Sequence, residues 1–344
     1  MMRFVRPAET RDLDGVVALA ESLGSGMTTL PADRAVLGEK IERSVASFRG
    51  QLDRAQTQYL LVLDAGDGTV QGTSALYPHV GSPYGFFSYK RLRLVQRSQA
   101  VDVSCNVEML ALANDYTGTT EVGTLAIHPS LKGTGAGRLL ARSRYMLVAI
   151  RPDLFAPLLM GEMRGWQDDR GENPFWNAVG ARFFSMDFAT ADLLSATRGA
   201  DFIAELLPKH PLYIELLPPD AREVIGKPHR NSMPARSMLR SEGFRYEGYV
   251  DVFDAGPQMH CDRDQIATVA QSRQARPVTL SPNAAPAATP HLICSEDLLG
   301  FRAVMATAQV VDGEIALVTD ASQLLGADRG ATVRWSPGAV GVAA

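Results

Sequence analysis

The chain has 344 residues, 46% of them hydrophobic, and a formal net charge of −4 at pH 7. That length and composition allow a large buried core and favour two domains, or one domain with an extension. The acidic balance argues against a nucleic-acid partner, which would call for a basic stripe, and points to small molecules instead.

No run approaches the roughly 18 apolar residues that span a bilayer, and Met1 to Pro7 passes directly into strand-like sequence. Neither a membrane anchor nor a signal peptide is therefore expected. The three cysteines, Cys105, Cys261 and Cys294, are far apart and odd in number, which suits a reducing cytoplasm. His260-Cys261 is the one local metal-like pair, and without further ligands at zinc spacing it reads as structural, so no metal is expected.

Arg3 to Pro7 reads as an edge strand. Asp12 to Leu23 reads as an amphipathic helix, with Leu13, Val16, Val17, Ala20 and Leu23 on one face and Gly24 at the stop. A second helix is predicted over Pro31 to Phe48, its apolar side carrying Val36, Leu37, Ile41, Val45 and Phe48. Tyr59 to Leu63 and Val70 to Tyr77 are strand-like runs around Ala65-Gly66-Asp67-Gly68, a hairpin turn by composition.

Leu125-Ala126-Ile127 is a short apolar strand that turns through Gly133, Gly135 and Gly137 into a helix continuing from Arg138 to Ile150. Glycines permit backbone conformations closed to other residues and leave room for a ligand to approach. The first turn of a helix adds unpaired N–H groups and the positive end of the macrodipole, so it can bind a phosphate without a dedicated cation. Lys132 and Arg138 supply further positive charge. The dinucleotide pattern G-x-G-x-x-G and the mononucleotide pattern G-x-x-x-x-G-K-[ST] both fail here. Read from Lys132, the stretch is basic-x-x-G-x-G.

Leu158 to Arg164 reads as the next strand, and Pro174-Phe175-Trp176-Asn177-Ala178-Val179-Gly180 as a short helix with Trp176 in the core. A helix–Gly–Phe–strand pattern returns at Met233 to Val252, so the main module is expected to end near Gly256. Asp187 to Arg230 reads as an insertion or as part of a second, degenerate half. Gln274 to Pro290, rich in Ala, Pro and Ser, reads as a linker or long loop. Phe301 to Ala308, Glu314 to Thr319 and Ala331 to Trp335 are β-like runs separated by the turns Asp312-Gly313 and Asp328-Arg329-Gly330. They carry no chemical constellation, which favours a structural or assembly role.

The basic-x-x-G-x-G spacing resembles the [QR]-x-x-G-x-[GA] signature of the GCN5-related acyltransferase superfamily, with lysine where glutamine or arginine is usual. Longer blocks narrow the resemblance. Ser22 to Pro31, Met163-Arg164-Gly165, Pro174-Phe175-Trp176, Arg182 to Phe188 and Phe202 to Pro211 together resemble the arginine N-succinyltransferase family over most of residues 1–260. The resemblance implies an α+β acyltransferase fold, a mixed and mostly antiparallel sheet flanked by helices, with a C-terminal all-β extension. It divides the chain into a domain over 1–260, with an insertion about 187–230, and a linker plus small β-rich subdomain over 261–344.

The implied activity is transfer of succinyl from succinyl-CoA to the α-amine of L-arginine, the first step of arginine catabolism through succinylated intermediates. Leu125, Ile127, Lys132, Gly133, Thr134, Gly135, Ala136, Gly137 and Arg138 are the expected CoA-binding residues, Leu125 and Ile127 through backbone N–H groups that also serve the oxyanion. The family's proton donor falls on His229 in Val224-Ile225-Gly226-Lys227-Pro228-His229, a residue type suited to proton transfer near neutrality. His128 and His210 are weaker candidates, and the base is unassigned.

A guanidinium requires a carboxylate and an α-carboxylate requires a cation, which makes Asp115, Glu162 and Arg164 candidates for gripping the amine substrate. Lys90-Arg91-Leu92-Arg93 reads as a solvated strand face, or as cations for the CoA 3′-phosphate or the succinyl carboxylate. Three alternatives stay open: ornithine or another amine as acceptor, acetyl-CoA as donor, and a noncatalytic CoA-binding subunit of a heteromer. A homo-oligomer or a heteromer with a related subunit is compatible with the sequence.

Overall fold

The computed structural model describes residues 2–23, 29–188, 190–191, 194, 206–279 and 288–339. The expected stop at Gly24, part of the Ser22 to Pro31 block and residues Phe202 to Glu205 of the fifth block lie outside them. Helix α1, Leu13–Leu23, buries Val16, Leu19 and Ala20. Helix α2, Arg34–Phe48, starts three residues later than the sequence suggests, because Asp33 accepts the Val36 N–H at 3.0 Å and caps it there.

Strands β1, Phe4–Pro7, β2, Tyr59–Asp64, β3, Val70–Tyr77, β4, Ser88–Ser98, β5, Val103–Ala113, and β6, Thr120–Ile127, precede helix α3, Ala136–Ile150. Strand β7, Leu158–Glu162, leads to the short helices α4, Pro174–Ala178, and α5, Gly180–Phe184. Then follow β8, Leu212–Tyr213, helices α6, Pro219–Val224, and α7, Met233–Ser241, and strands β9, Arg245–Asp251, and β10, Pro257–Asp262. In space the strands run β1-β2-β3-β6-β7-β10-β9-β4-β5-β8. Only β6 and β7 are parallel within this row, and they pair over just two positions, Thr120 with Leu159 and Glu121 with Met160.

The sheet has two unlike faces. On one, α3 and α7 cover Leu61, Leu76, Val122, Leu159, Met259 and Cys261. Farther along, Tyr89 and Val250 meet Phe175 and Trp176. On the other face, α1 and α2 cover Leu60, Val62 and Ala75 at the β1 end. Past β6 that second face carries Tyr116, Met160 and Tyr249 and no helix among the described residues. Strand alternation accounts for the division: each strand buries one set of side chains under α3 or α4 and offers the other set to the open side.

Trp176 is fully buried, as expected, and it accounts for a glycine. A Cβ on Gly180 would lie 2.1 Å from the Trp176 ring, so any side chain there would displace it.

Three expectations change. The first strand is not an edge strand, because β1 meets β13, Ala303–Val311, at Val5 opposite Ala303 as well as pairing with β2. The segment from Gln274 to Pro290 is not all linker, since Arg273–Thr279 forms strand β11 and the segment's last two residues open the strand Thr289–Ser295; residues 280–287 of it are outside the described set. A division at residue 260 would cut β10, which pairs with both β7 and β9.

The C-terminal strands β11, β12 (Thr289–Ser295), β13, β14 (Glu314–Leu317) and β15 (Val333–Pro337) close on themselves. The neighbours run β13-β12-β15-β11-β14 and back to β13, a five-stranded barrel. Its interior is Ile293, Val304, Ile315, Leu317 and Val333, with helix α8, Thr319–Leu324, contributing Ala321. Arg142 of α3 ties it to the rest. Its guanidinium donates to Ser336 Oγ at 3.0 Å, to the Pro337 and Gly338 carbonyls at 2.8 Å each and to Thr268 Oγ1 at 2.8 Å. Glu242 stands 3.3 Å from its Nε.

Candidate active site

Strand β6 is interrupted where it leaves β7. Opposite β3, Ala126 faces Thr73 and Gly123 faces Ala75, so the strand carries an extra residue, and Thr124 takes a φ of 52°. Tyr77 fixes the bulge through a 2.7 Å hydrogen bond between its hydroxyl and Thr124 Oγ1. Past the bulge the alternation is reversed, which turns the Leu125 and Ile127 side chains toward the α3 core. From Gly123 onward β6 has no strand partner on its β7 side. The two strands splay, and the backbone of Leu125 to Ile127 lines the gap.

The glycine loop sits at the open end of this gap. His128 starts a 3₁₀ turn, with its Nδ1 2.7 Å from Ser130 Oγ. Gly133 and Gly135 adopt φ of 80° and 86°, and a Cβ at either would meet nothing within 4 Å. The loop is therefore open on its outer side, and its glycines serve backbone conformation rather than packing. The first intrahelical bond of α3 runs from the Leu139 N–H to the Gly135 carbonyl at 3.0 Å. The N–H groups of Gly137 and Arg138 precede it and point out of the helix end, a ready anion cradle flanked by exposed Lys132.

The amine side of the site is assembled from distant segments. Glu162 ends β7, and its Oε1 accepts from Gln258 Nε2 at 2.6 Å. The side chain reaches solvent, yet protein surrounds it on the remaining sides. This enclosure, reinforced by Asp251 and Glu121, raises its carboxyl well above the usual range. Tyr249 donates to Asp115 Oδ2 at 2.6 Å and accepts from Lys90 Nζ at 2.7 Å. Beside it, Tyr116 Oη lies 2.6 Å from His260 Nδ1, and His260 Nε2 is 3.4 Å from Glu247. The open face is thus acidic, with Lys90 a cation already engaged. Strand alternation splits the basic run: Lys90 joins this face while Arg91 turns to the opposite side and pairs with Glu108.

His229 reaches the same end of the sheet. Its backbone N–H donates to the Arg164 carbonyl at 2.7 Å, and Pro228 bridges to Gly165 just past β7. Its Nδ1 accepts the Asn231 N–H at 3.2 Å, which leaves the neutral imidazole protonated on Nε2. Burial, then the charges of Arg164 and Arg230, lower its pKa from 6.5.

The Met163-Arg164-Gly165 block proves to be a clasp. Asp254 accepts the Gly165 N–H at 2.6 Å and the Gly256 N–H at 2.7 Å. A Cβ on Gly256 would lie 2.1 Å from the Met163 carbonyl, so the two segments can approach this closely only with glycine.

Glu162, Asp115, Arg164 and His229 therefore share one end or one face of the sheet, next to the splay. A separate cleft of about 240 Å³, lined by Arg240, Phe244, Arg245 and Cys261, opens on the α7 side and contains none of these residues. Burial pushes the Cys261 thiol there up to about 11, which leaves it unreactive at neutral pH. Among the described residues no group of three or more His, Cys, Asp or Glu side chains is arranged to hold a metal ion, and no helix is long and apolar enough to cross a membrane.

A residue the sequence did not single out also lies here. Glu121 is the last β6 residue paired with β7, and Thr120-Glu121-Val122 reads as an ordinary strand with an outward carboxylate. The signal available was its position, six residues ahead of the end of the strand that feeds the glycine loop.

Comparison with known proteins gives a consistent result. A family model described as arginine N-succinyltransferase beta subunit matches residues 3–268, and the model of that subunit's C-terminal domain matches residues 274–337. The arginine N-succinyltransferase of Enterobacter sp. (strain 638) is 39% identical over 335 residues, covering 97% of each chain. That of Escherichia coli (strain 55989 / EAEC) is 38% identical over 336 residues, again 97% of each. The solved arginine/ornithine succinyltransferase subunit AI from Pseudomonas aeruginosa is 32% identical, with a TM-score of 0.87 covering 99% of both chains.

Proposed function

This chain belongs to the arginine N-succinyltransferase family, and from that premise we propose that it transfers succinyl from succinyl-CoA to the α-amine of L-arginine. It is an acyltransferase, and acyl-CoA is its co-substrate. The observation that carries the choice of amine is the acidic face beside the splay, with Glu162, Asp115 and Glu247 grouped about Tyr116. Such a face suits a substrate with a cationic side chain.

In this reading the α3 N-terminus and the loop from Lys132 to Arg138 hold the pyrophosphate. The backbone N–H groups of Leu125 and Ile127 receive the pantetheine and the thioester oxygen. The amine adds to the carbonyl carbon, the oxyanion forms, and collapse expels the CoA thiolate. His229 is the acid that protonates this sulfur. Its lowered pKa makes the imidazolium a stronger donor while thinning its population at neutral pH. Glu162 faces the guanidinium, Asp115 lies farther along the same face, and Arg164 meets the α-carboxylate.

Ornithine is the second acceptor to test, because the Pseudomonas relative is named for both amino acids. Thiol release measured with succinyl-CoA and acetyl-CoA against arginine and ornithine separates the readings. Release with succinyl-CoA and arginine is expected; its absence with either amino acid would refute succinyl transfer. A purified chain that binds CoA but turns over only with a second subunit would identify a noncatalytic partner. We also propose a cytoplasmic location and a multimer, homomeric or with a related subunit, which light scattering of the purified chain tests. For the domain division we keep the acyltransferase part at about 1–260, extended to complete β10, with the barrel beyond it.

A further inference from the structure

We propose that Thr73 and Tyr77 of β3 are positioning residues for the transfer step, aiming the Leu125 N–H into the splay where the thioester oxygen would lie. This rests on the succinyltransferase reading, which gives that N–H to the oxyanion, and it names what fixes the direction.

A peptide group is planar and trans, so its C=O and N–H point in opposite directions. The Thr124 carbonyl and the Leu125 N–H belong to one such group. Thr73 Oγ1 donates to the Thr124 carbonyl at 3.2 Å, and Thr73 is fully buried, so water does not compete for the bond. The strands run β3, β6, β7, and a carbonyl turned toward β3 sends the N–H of its own group toward the side that β7 has left. The Thr73 hydroxyl thereby sets where the Leu125 N–H points.

Tyr77 holds the same residue by its side chain. Its hydroxyl is 2.7 Å from Thr124 Oγ1, and Thr124 is a β-branched residue at a φ of 52°, a conformation that persists only where the surroundings impose it. The neighbouring residue makes the contact possible. A Cβ on Gly123 would lie 3.0 Å from the Tyr77 ring, so the ring reaches Thr124 uncrowded only across a glycine. Arg144 of α3 donates to the Gly123 carbonyl at 3.2 Å and fixes the preceding peptide group as well. Three side chains from two elements thus converge on residues 123–124, where β6 parts from β7.

Removing either β3 hydroxyl takes away one oxygen and lets the peptide swing. The glycine loop is untouched by such a swing, so the loss falls on the transition state and spares CoA binding.

The test measures kcat, both KM values and calorimetric succinyl-CoA affinity for wild type, Thr73→Val and Tyr77→Phe, each at a temperature where melting shows it folded. Each variant is expected to lose roughly 10–100-fold in kcat, with the KM for arginine and the succinyl-CoA affinity within about twofold of wild type. The variants alter different residues, so misfolding of one leaves the other as the test. Burial, then the Glu121 charge, raises the pKa of the Tyr77 hydroxyl and keeps it protonated. The Tyr77→Phe loss should therefore be the same from about pH 6 to 9, unlike that of a proton-transfer residue. In a Thr124→Gly background, where glycine holds the left-handed conformation unaided, Tyr77→Phe should change kcat by less than about twofold. A full further loss there would show that Tyr77 does not act through Thr124 and would overturn its role. Unchanged kcat in either variant strikes out that residue, and a kcat that falls only together with succinyl-CoA affinity overturns the aiming altogether. An active wild type leaves succinyl transfer standing in each of these cases. A wild type inactive with both arginine and ornithine overturns the succinyltransferase reading, and this positioning role with it.

Discussion

The two halves of the candidate site are built by different means. The CoA half is one continuous segment, Leu125 to Arg138, and its working parts are backbone: glycine φ values, helix-terminal N–H groups and the free edge of a splayed strand. The candidate amine half draws Asp115, Glu162, His229 and Glu247 from separate stretches and would work through side chains. Backbone sites are written locally as glycine spacing. Side-chain sites exist only once strand order has brought their members together.

If the halves are independent, each can be damaged without the other. The largest effect is expected at the amine end, where His229→Gln should lower kcat by about 10²–10⁴-fold while leaving the calorimetric affinity for succinyl-CoA within about twofold. A parallel loss of CoA affinity would join the halves. Next, Arg142→Ala should destabilise the chain by about 3–5 kcal/mol in denaturant melts, since it leaves Glu242 and three barrel acceptors buried without their donor. On the CoA side, Gly135→Val should weaken CoA binding by roughly 30–100-fold. It places a β-branched residue at a φ of 86°, at about 1–2 kcal/mol of strain, at a position where a Cβ meets no protein atom within 4 Å. Unchanged CoA affinity would remove the loop from the site. Smallest, Glu162→Gln should raise the KM for arginine about tenfold, charge-assisted bonds contributing about 1.5–3 kcal/mol. A kcat change without a KM change would reassign it.

The same contrast explains what could be read from the sequence. Helices α1, α2 and α3, the β2–β3 hairpin and the glycine loop follow from periodicity and turn residues a few positions apart. The neighbours of β1 and β11 do not. Val5 meets Ala303 across almost the whole chain, and β11 pairs with strands 38 and 58 to 62 residues downstream, so its Ala- and Pro-containing sequence resembled a linker. Glu121 was illegible for a related reason. Its carboxylate would be ordinary on a solvated strand, and stands out because no helix among the described residues covers that face beyond β6 and because the bulge at Thr124 opens the gap beside it. Two of the five blocks that suggested the family have a mechanical part: Trp176 packs against Gly180, and Gly165 and Gly256 close about Asp254.

Arg142 gives the C-terminal barrel a meaning its own residues lack. The helix that starts at the candidate phosphate cradle is the one whose middle turn grips Ser336, Pro337 and Gly338. The final strand thus acts as a keystone, set last and holding what was built first. During synthesis α3 must wait for some 190 further residues before its guanidinium is satisfied, so a chain that stops short of Ser336 would emerge with a complete set of chemical groups and an unseated cofactor helix.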